Sequence, residues 1–235
     1  RNVVCEEFKE HYINRPYGDV WHKLREMVYT THPYRWPTIG LELDHIRESK
    51  LSDVESFFYS WYRPNNAILS ISGGISTAKA LELAEKWFGD IPAGVQPERI
   101  IPQEPVQTAS RFRKVEADVP VNLVYQVWHM DGRNGSQYYA QNLLSDVLGN
   151  GESSRLYQSL KMEQQLFTDI SAYVSGSIDT GMFVVSGKLA DGVSYEEANA
   201  AITKELNRLT SEGCGDRELQ RVKNMVETDL AGSYM

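Results

Sequence analysis

The sequence predicts an α+β fold, on three observations. Apolar residues recur at helical spacing in several segments, as in Ala80, Leu81, Ala84, Trp87 and Phe88. Others alternate at strand spacing, as in Val121, Leu123, Tyr125 and Val127. A strand pattern followed by a glycine-terminated helix occurs on both sides of a proline-rich stretch.

In chain order, Val4, Phe8 and Tyr12 are spaced by four and predict a helix over 3–13. Asp19 is placed to cap a second helix, with Val20, Trp21, Leu24, Met27 and Val28 inward. Two prolines and a glycine make 32–40 a loop. Ser52-Asp53-Val54-Glu55 reads as a capping box for a helix burying Val54, Phe57, Phe58 and Trp61 and ending before Pro64. Ala67 to Ser72 reads as a short strand and Gly73-Gly74 as its end. Ser76 or Thr77 then caps the helix that stops at Gly89 and Pro92. A lone Gly-Gly before a helix is far more often a turn than a phosphate cradle, and neither GxGxxG nor GxxxxGK[ST] occurs.

Pro97, Pro102 and Pro105 mark 93–110 as a linker between a first domain over 1–92 and a second over 111–235. Beyond it come a strand around 121–127 and a helix capped by Ser136. A second helix over 153–165, strands over 168–176 and 181–189 joined as a hairpin, and a helix opened by the Ser194–Glu197 capping box follow. Leu219, Val222, Val226 and Leu230 mark a last helix.

The 235 residues carry a net charge of −8, which argues against a nucleic-acid surface of clustered Lys and Arg. No apolar run reaches the ~20 residues a membrane span needs. Cys5 and Cys214 form no CxxC and read as two unpaired thiols. The chain opens on Arg1 inside a helical pattern and closes just past another, so it is expected to be an internal fragment.

Few residues announce chemistry. His11, His22, His32, His45 and His129 form no HxxEH, and an isolated histidine is more often a hydrogen-bonded residue than a ligand. Glu6, Glu7 and Glu10 read by default as a solvated acidic face near a helix N-terminus.

Arg1-Asn2-Val3-Val4-Cys5-Glu6-Glu7 resembles the (E)RNxVxxE segment of the M16 zinc metallopeptidases, the insulysin, pitrilysin and mitochondrial-processing-peptidase family. HPYRWPTIG, YRPNNAILSISGG, KWFGDIP and LLSDVLGNGESSRLYQSLKMEQ resemble later segments of that family, in its order. The resemblance implies LuxS/MPP-like metallohydrolase layers, an antiparallel-rich sheet with helices packed on it, in two homologous domains. Residues 1–92 would then be the C-terminal part of the metal-binding domain. It also implies a bacterial-type zinc endopeptidase, with peptide substrate held as an added strand. Zinc would be bound by two histidines of an HxxEH and by the last glutamate of ERNxVxxE, which is Glu7. The general base belongs to the HxxEH, so this chain carries no catalytic residue of its own.

Two departures stand out. HxxEH is absent from these residues, and the family's substrate-binding Arg and Tyr fall on Lys161 and Thr168. Lysine keeps the charge without the bidentate fork, and threonine lacks the reach of a phenol. The implied partners are therefore a peptide substrate and an M16 partner subunit or second copy. The other reading is a non-catalytic M16-like scaffold. Cytoplasm and periplasm stay equally open.

Overall fold

The computed structural model describes residues 1–234. The chain folds as two compact units: Arg1–Arg15 with Trp36–Pro102, and Pro16–Arg35 with Gln103–Met235. The division falls at Pro102, inside the proline-rich stretch, while the excursion Pro16–Arg35 belongs to the second unit.

The first unit is helical: α1 (Asn2–Phe8), continued to Ile13 by a wider π-helical turn, α3 (Leu43–Glu48), α4 (Leu51–Trp61) and α5 (Thr77–Phe88). Ser76 caps α5 as its sequence predicts, its hydroxyl accepting the Lys79 N–H at 3.3 Å. The capping box of α4 lies two residues earlier than Ser52 implies. Lys50 is the N-cap, and its N–H donates to the Asp53 carboxylate at 2.8 Å. The Asp53 N–H, which a serine hydroxyl would otherwise take, goes to the Lys50 carbonyl at 3.1 Å.

Ala67–Ser72 joins no sheet among the described residues, which corrects its reading as a strand. Alternation signals a half-buried strand only where a sheet stands beside it, and Ile68 is 98% exposed. The faces of α4 and α5 expected inside are likewise open. Phe57, Phe58, Leu81, Trp87 and Phe88 are all exposed, and only Cys5 and Phe8 of this unit are buried apolar residues.

The second unit holds the core. Its sheet has the order β1 (Leu123–Met130), β3 (Gly181–Leu189), β2 (Phe167–Ser175), antiparallel throughout. β2 and β3 form the hairpin the sequence predicts. One face packs on α6 (Tyr138–Gly149), the π-helical segment Tyr157–Glu163 and α7 (Tyr195–Glu212), around Leu148, Leu156, Leu160, Val185, Ala198 and Ile202. The other face is covered by α2 (Val20–Val28) and Tyr29, which meet Met182 and Val184. The central strand β3 is thus buried on both sides. α8 (Asp216–Gly232) closes the unit, and its Arg221 donates to the carbonyls of Asn150 and Asp146 at the end of α6.

Ser194 caps α7 as expected, accepting the Glu197 N–H at 3.1 Å. Ser136 does not cap α6. The N-cap is Gln137, whose N–H donates to Asp131 at 3.0 Å, a carboxylate delivered by the end of β1. Cys5 is a buried free thiol and Cys214 an exposed one.

Candidate functional site

Glu7 sits on α1, between Cys5 and Phe8, which turn inward. Its side chain is exposed. Lys9 pairs at 2.7 Å with Glu6 and so leaves the neighbouring carboxylate to solvent. Arg1 steadies the start of α1 by donating to the carbonyls of Arg47 and Ser49, at the end of α3. There a cation meets the negative end of a helix dipole. His11, one turn from Glu7, is exposed, and its ring lies 6.4 Å from that of Tyr12.

A zinc centre needs three or four convergent ligands. Among the described residues no three His, Cys, Asp or Glu side chains come together. Glu7 is thus an exposed carboxylate on α1 with no such cluster around it among the described residues.

Lys161 and Thr168 lie on opposite sides of a tight turn. The Leu166 N–H returns to the Leu160 carbonyl at 2.9 Å, and Gln165 takes a left-handed φ of 54°. Both side chains have partners within the chain. The Lys161 ammonium lies 4.7 Å from the Tyr157 ring centroid, and the Thr168 hydroxyl donates to the Lys188 carbonyl at 3.3 Å. Neither is posed as a fork on a ligand.

One constellation the sequence concealed lies after α2. The Glu104 carboxylate accepts the N–H groups of Thr30, Thr31 and His32 at 2.7, 3.0 and 2.9 Å, and the Thr30 hydroxyl at 2.7 Å. Burial pushes its pKa upward, but the amides of His32 and Thr31 and the Thr30 groups outweigh that and bring it down to about 2. The buried His32 takes the Tyr34 N–H on Nδ1 at 3.1 Å, which leaves the ring proton on Nε2, facing Asp179 at 3.3 Å. Tyr29 stacks on His129 and donates to the Thr180 carbonyl, and burial pushes its phenol up to about 12. These contacts brace the loop 30–35. The two prolines signalled the loop, but nothing local signalled a carboxylate 72 to 74 residues away in sequence.

A family model described as the peptidase M16 inactive domain matches residues 50–226. Zinc protease PqqE of Helicobacter pylori is 28% identical over 235 residues, covering 98% of this chain and 52% of the relative. A crystal structure of a protease from Helicobacter pylori superposes with a TM-score of 0.86 at 26% identity, covering 98% of this chain and 56% of that one. The peptidase M16 inactive domain from Pseudomonas fluorescens has the same fold, with a TM-score of 0.83 at 19% identity, covering 99% of this chain and 57% of that one. The chain spans about half the length of the curated relatives it matches. By the extent of the model match, this chain belongs to the peptidase M16 inactive-domain family.

Proposed function

We propose that the chain is part of a zinc-dependent endopeptidase, in which Glu7 supplies one carboxylate to a zinc whose other ligands lie outside these residues. The observation that carries it is Glu7 itself: exposed on a helix pinned by Arg1, with the nearby lysine taken by Glu6. Family membership supports the peptidase class, as do relatives named zinc proteases. When bound, zinc lowers the pKa of its water towards ~7 and so furnishes the nucleophile. Within this chain the contribution is to hold a carboxylate rigidly; the lone ligand gives the isolated chain little zinc affinity, because binding depends on convergent donors.

The test is metal content of the whole protein after dialysis, wild type against Glu7→Gln. Stoichiometric zinc in the wild type, with loss of zinc and of peptidase activity in the variant, supports the reading. Zinc retained in full by Glu7→Gln overturns it.

A second reading is a non-catalytic M16-like scaffold or partner subunit of a peptidase heterodimer. Two observations favour it: the model match is to the inactive domain, and Lys161 and Thr168 are engaged within the chain. A whole protein without zinc that restores activity to a zinc-bearing M16 subunit would establish it.

A further inference from the structure

Directly after α2 and Tyr29, three successive backbone amides converge on one carboxylate. Oε1 of Glu104 takes the N–H and the hydroxyl of Thr30, and Oε2 takes the N–H groups of Thr31 and His32. The Thr31 hydroxyl lies 3.3 Å from Oε2 while donating to the Gln103 carbonyl at 3.0 Å. The charge of Glu104 is held low by these amides and the Thr30 groups, with no lysine or arginine among the causes. Consecutive N–H groups that point together form a concavity suited to an anion. Such donors read charge and oxygen geometry, and are indifferent to what carries the oxygens.

The two sides of this contact, both in the second unit, differ in how firmly they are held. The amide side is braced by bonds that do not involve Glu104. The Tyr34 N–H donates to His32 Nδ1 at 3.1 Å, His32 Nε2 faces Asp179 at 3.3 Å, Arg25 donates to the Tyr34 carbonyl at 3.0 Å, and the Tyr29 hydroxyl donates to the Thr180 carbonyl at 3.0 Å. The carboxylate side is a strap over 103–119 that is neither helix nor strand. Pro105 follows Glu104 and removes a backbone donor. In 105–110 the Gln107 side chain bonds only to Ala109, within the strap itself. The next anchors are Arg111 on the Met27 carbonyl and Arg113 on Glu26 at 3.2 Å. Glu104 itself is only half-buried. A segment with so few contacts detaches locally at low cost, and the braced amides stay in place when it does.

We propose that the Thr30–His32 amides are a binding site for a small oxyanion, carboxylate or phosphate, which Glu104 occupies as a ligand tethered in cis, so that the strap and a free oxyanion exclude each other. A tethered group competes at an effective concentration on the order of millimolar. Free oxyanions therefore displace Glu104 only in part, and the site shows its own affinity once that carboxylate is removed. The apparent dissociation constant is the intrinsic one divided by the fraction of chains in which the amides stand open.

Titration of inorganic phosphate at neutral pH into the isotopically labelled chain tests this, wild type against Glu104→Ala, with chloride at matched ionic strength as the control. The amide resonances of Thr30, Thr31 and His32 should shift saturably with phosphate in the variant. The apparent dissociation constant should be about tenfold or more below that of the wild type, the factor for a site closed by Glu104 in roughly nine chains of ten. No saturable shift at these three amides in Glu104→Ala would overturn the proposal. So would the same shift with chloride, or equal affinity in the two proteins. If the alanine variant does not fold, Glu104→Gln takes its place in the same comparison, since it keeps the volume and one acceptor oxygen without the charge. The measurement needs neither zinc nor hydrolysis, so its failure leaves the role of Glu7 standing, and the reverse also holds.

Discussion

The Arg155 guanidinium meets the Glu218 carboxylate through two parallel bonds, Nε to Oε1 and Nη2 to Oε2, each 2.7 Å long. Arg155 also donates to the Gly213 carbonyl at 2.8 Å, and Glu218 accepts the Gly215 N–H at 3.0 Å. One ion pair thereby ties the segment leading into Tyr157–Glu163 to the first turn of α8. Such a bidentate, half-buried pair is stronger than a fully exposed one.

The pair makes stability depend on acid. The bond from Arg155 holds the Glu218 carboxyl well below its ordinary 4.5, at about 2, against the opposing effect of burial. The native state thus releases this proton more readily than the unfolded chain. Its contribution is complete above pH 4.5 and is lost as pH falls towards about 2. Glu104, also held at about 2, adds to the same window. Urea titrations between pH 7 and pH 2.5 should show Glu218→Gln less stable at neutral pH by about 1.5–3 kcal/mol, the range for hydrogen bonds to charged groups. The gap should shrink across the acid range; a constant gap would show that the pair is not responsible.

Gln165 occupies a backbone position suited to glycine. Its φ of 54° lies in the left-handed region, which costs a side-chain-bearing residue about 1–2 kcal/mol. Glycine avoids that cost but gives back part of it as unfolded-chain entropy. Gln165→Gly should therefore raise stability by about 0.5–1 kcal/mol. Because Gln165 is exposed, no packing is lost. Chemical denaturation midpoints of the two proteins decide it.

Gly149 shows the opposite case. A β-carbon there would fall 1.9 Å from the backbone nitrogen of Ala172, in β2. The end of α6 reaches that close to the sheet only without a side chain. Gly149→Ala should cost about 3 kcal/mol, the upper end of overpacking penalties, because backbone rather than a flexible side chain must yield. A thermal melt lowered by less than a degree would contradict the geometry.

The first unit presents Phe57, Phe58, Trp87 and Phe88 to solvent, an unusual density of apolar surface. The isolated chain should associate as its concentration rises. Light scattering after size exclusion should show an apparent mass above the 26.7 kDa of one chain. Phe57→Lys should reduce that excess.

Residue pattern alone located most of the helices, the β2–β3 hairpin, and the caps at Ser76 and Ser194. These depend on neighbours within a few positions, where periodicity and a hydroxyl three residues from an amide suffice. The resemblance at Arg1–Glu7 singled out a carboxylate whose role rests on that resemblance and not on local pattern; in the structure it is exposed on α1. Other features required partners distant in sequence. Ala67–Ser72 alternates like a strand yet finds no sheet among the described residues, and the inward faces assigned to α4 and α5 find no cover. Tertiary structure alone put Pro16–Arg35 over the sheet of the second unit, seated Glu104 on the Thr30–His32 amides, and turned the Lys161 ammonium onto Tyr157. Hydrogen bonding and burial between remote segments are set by where the backbone travels, and a local pattern carries no record of that path.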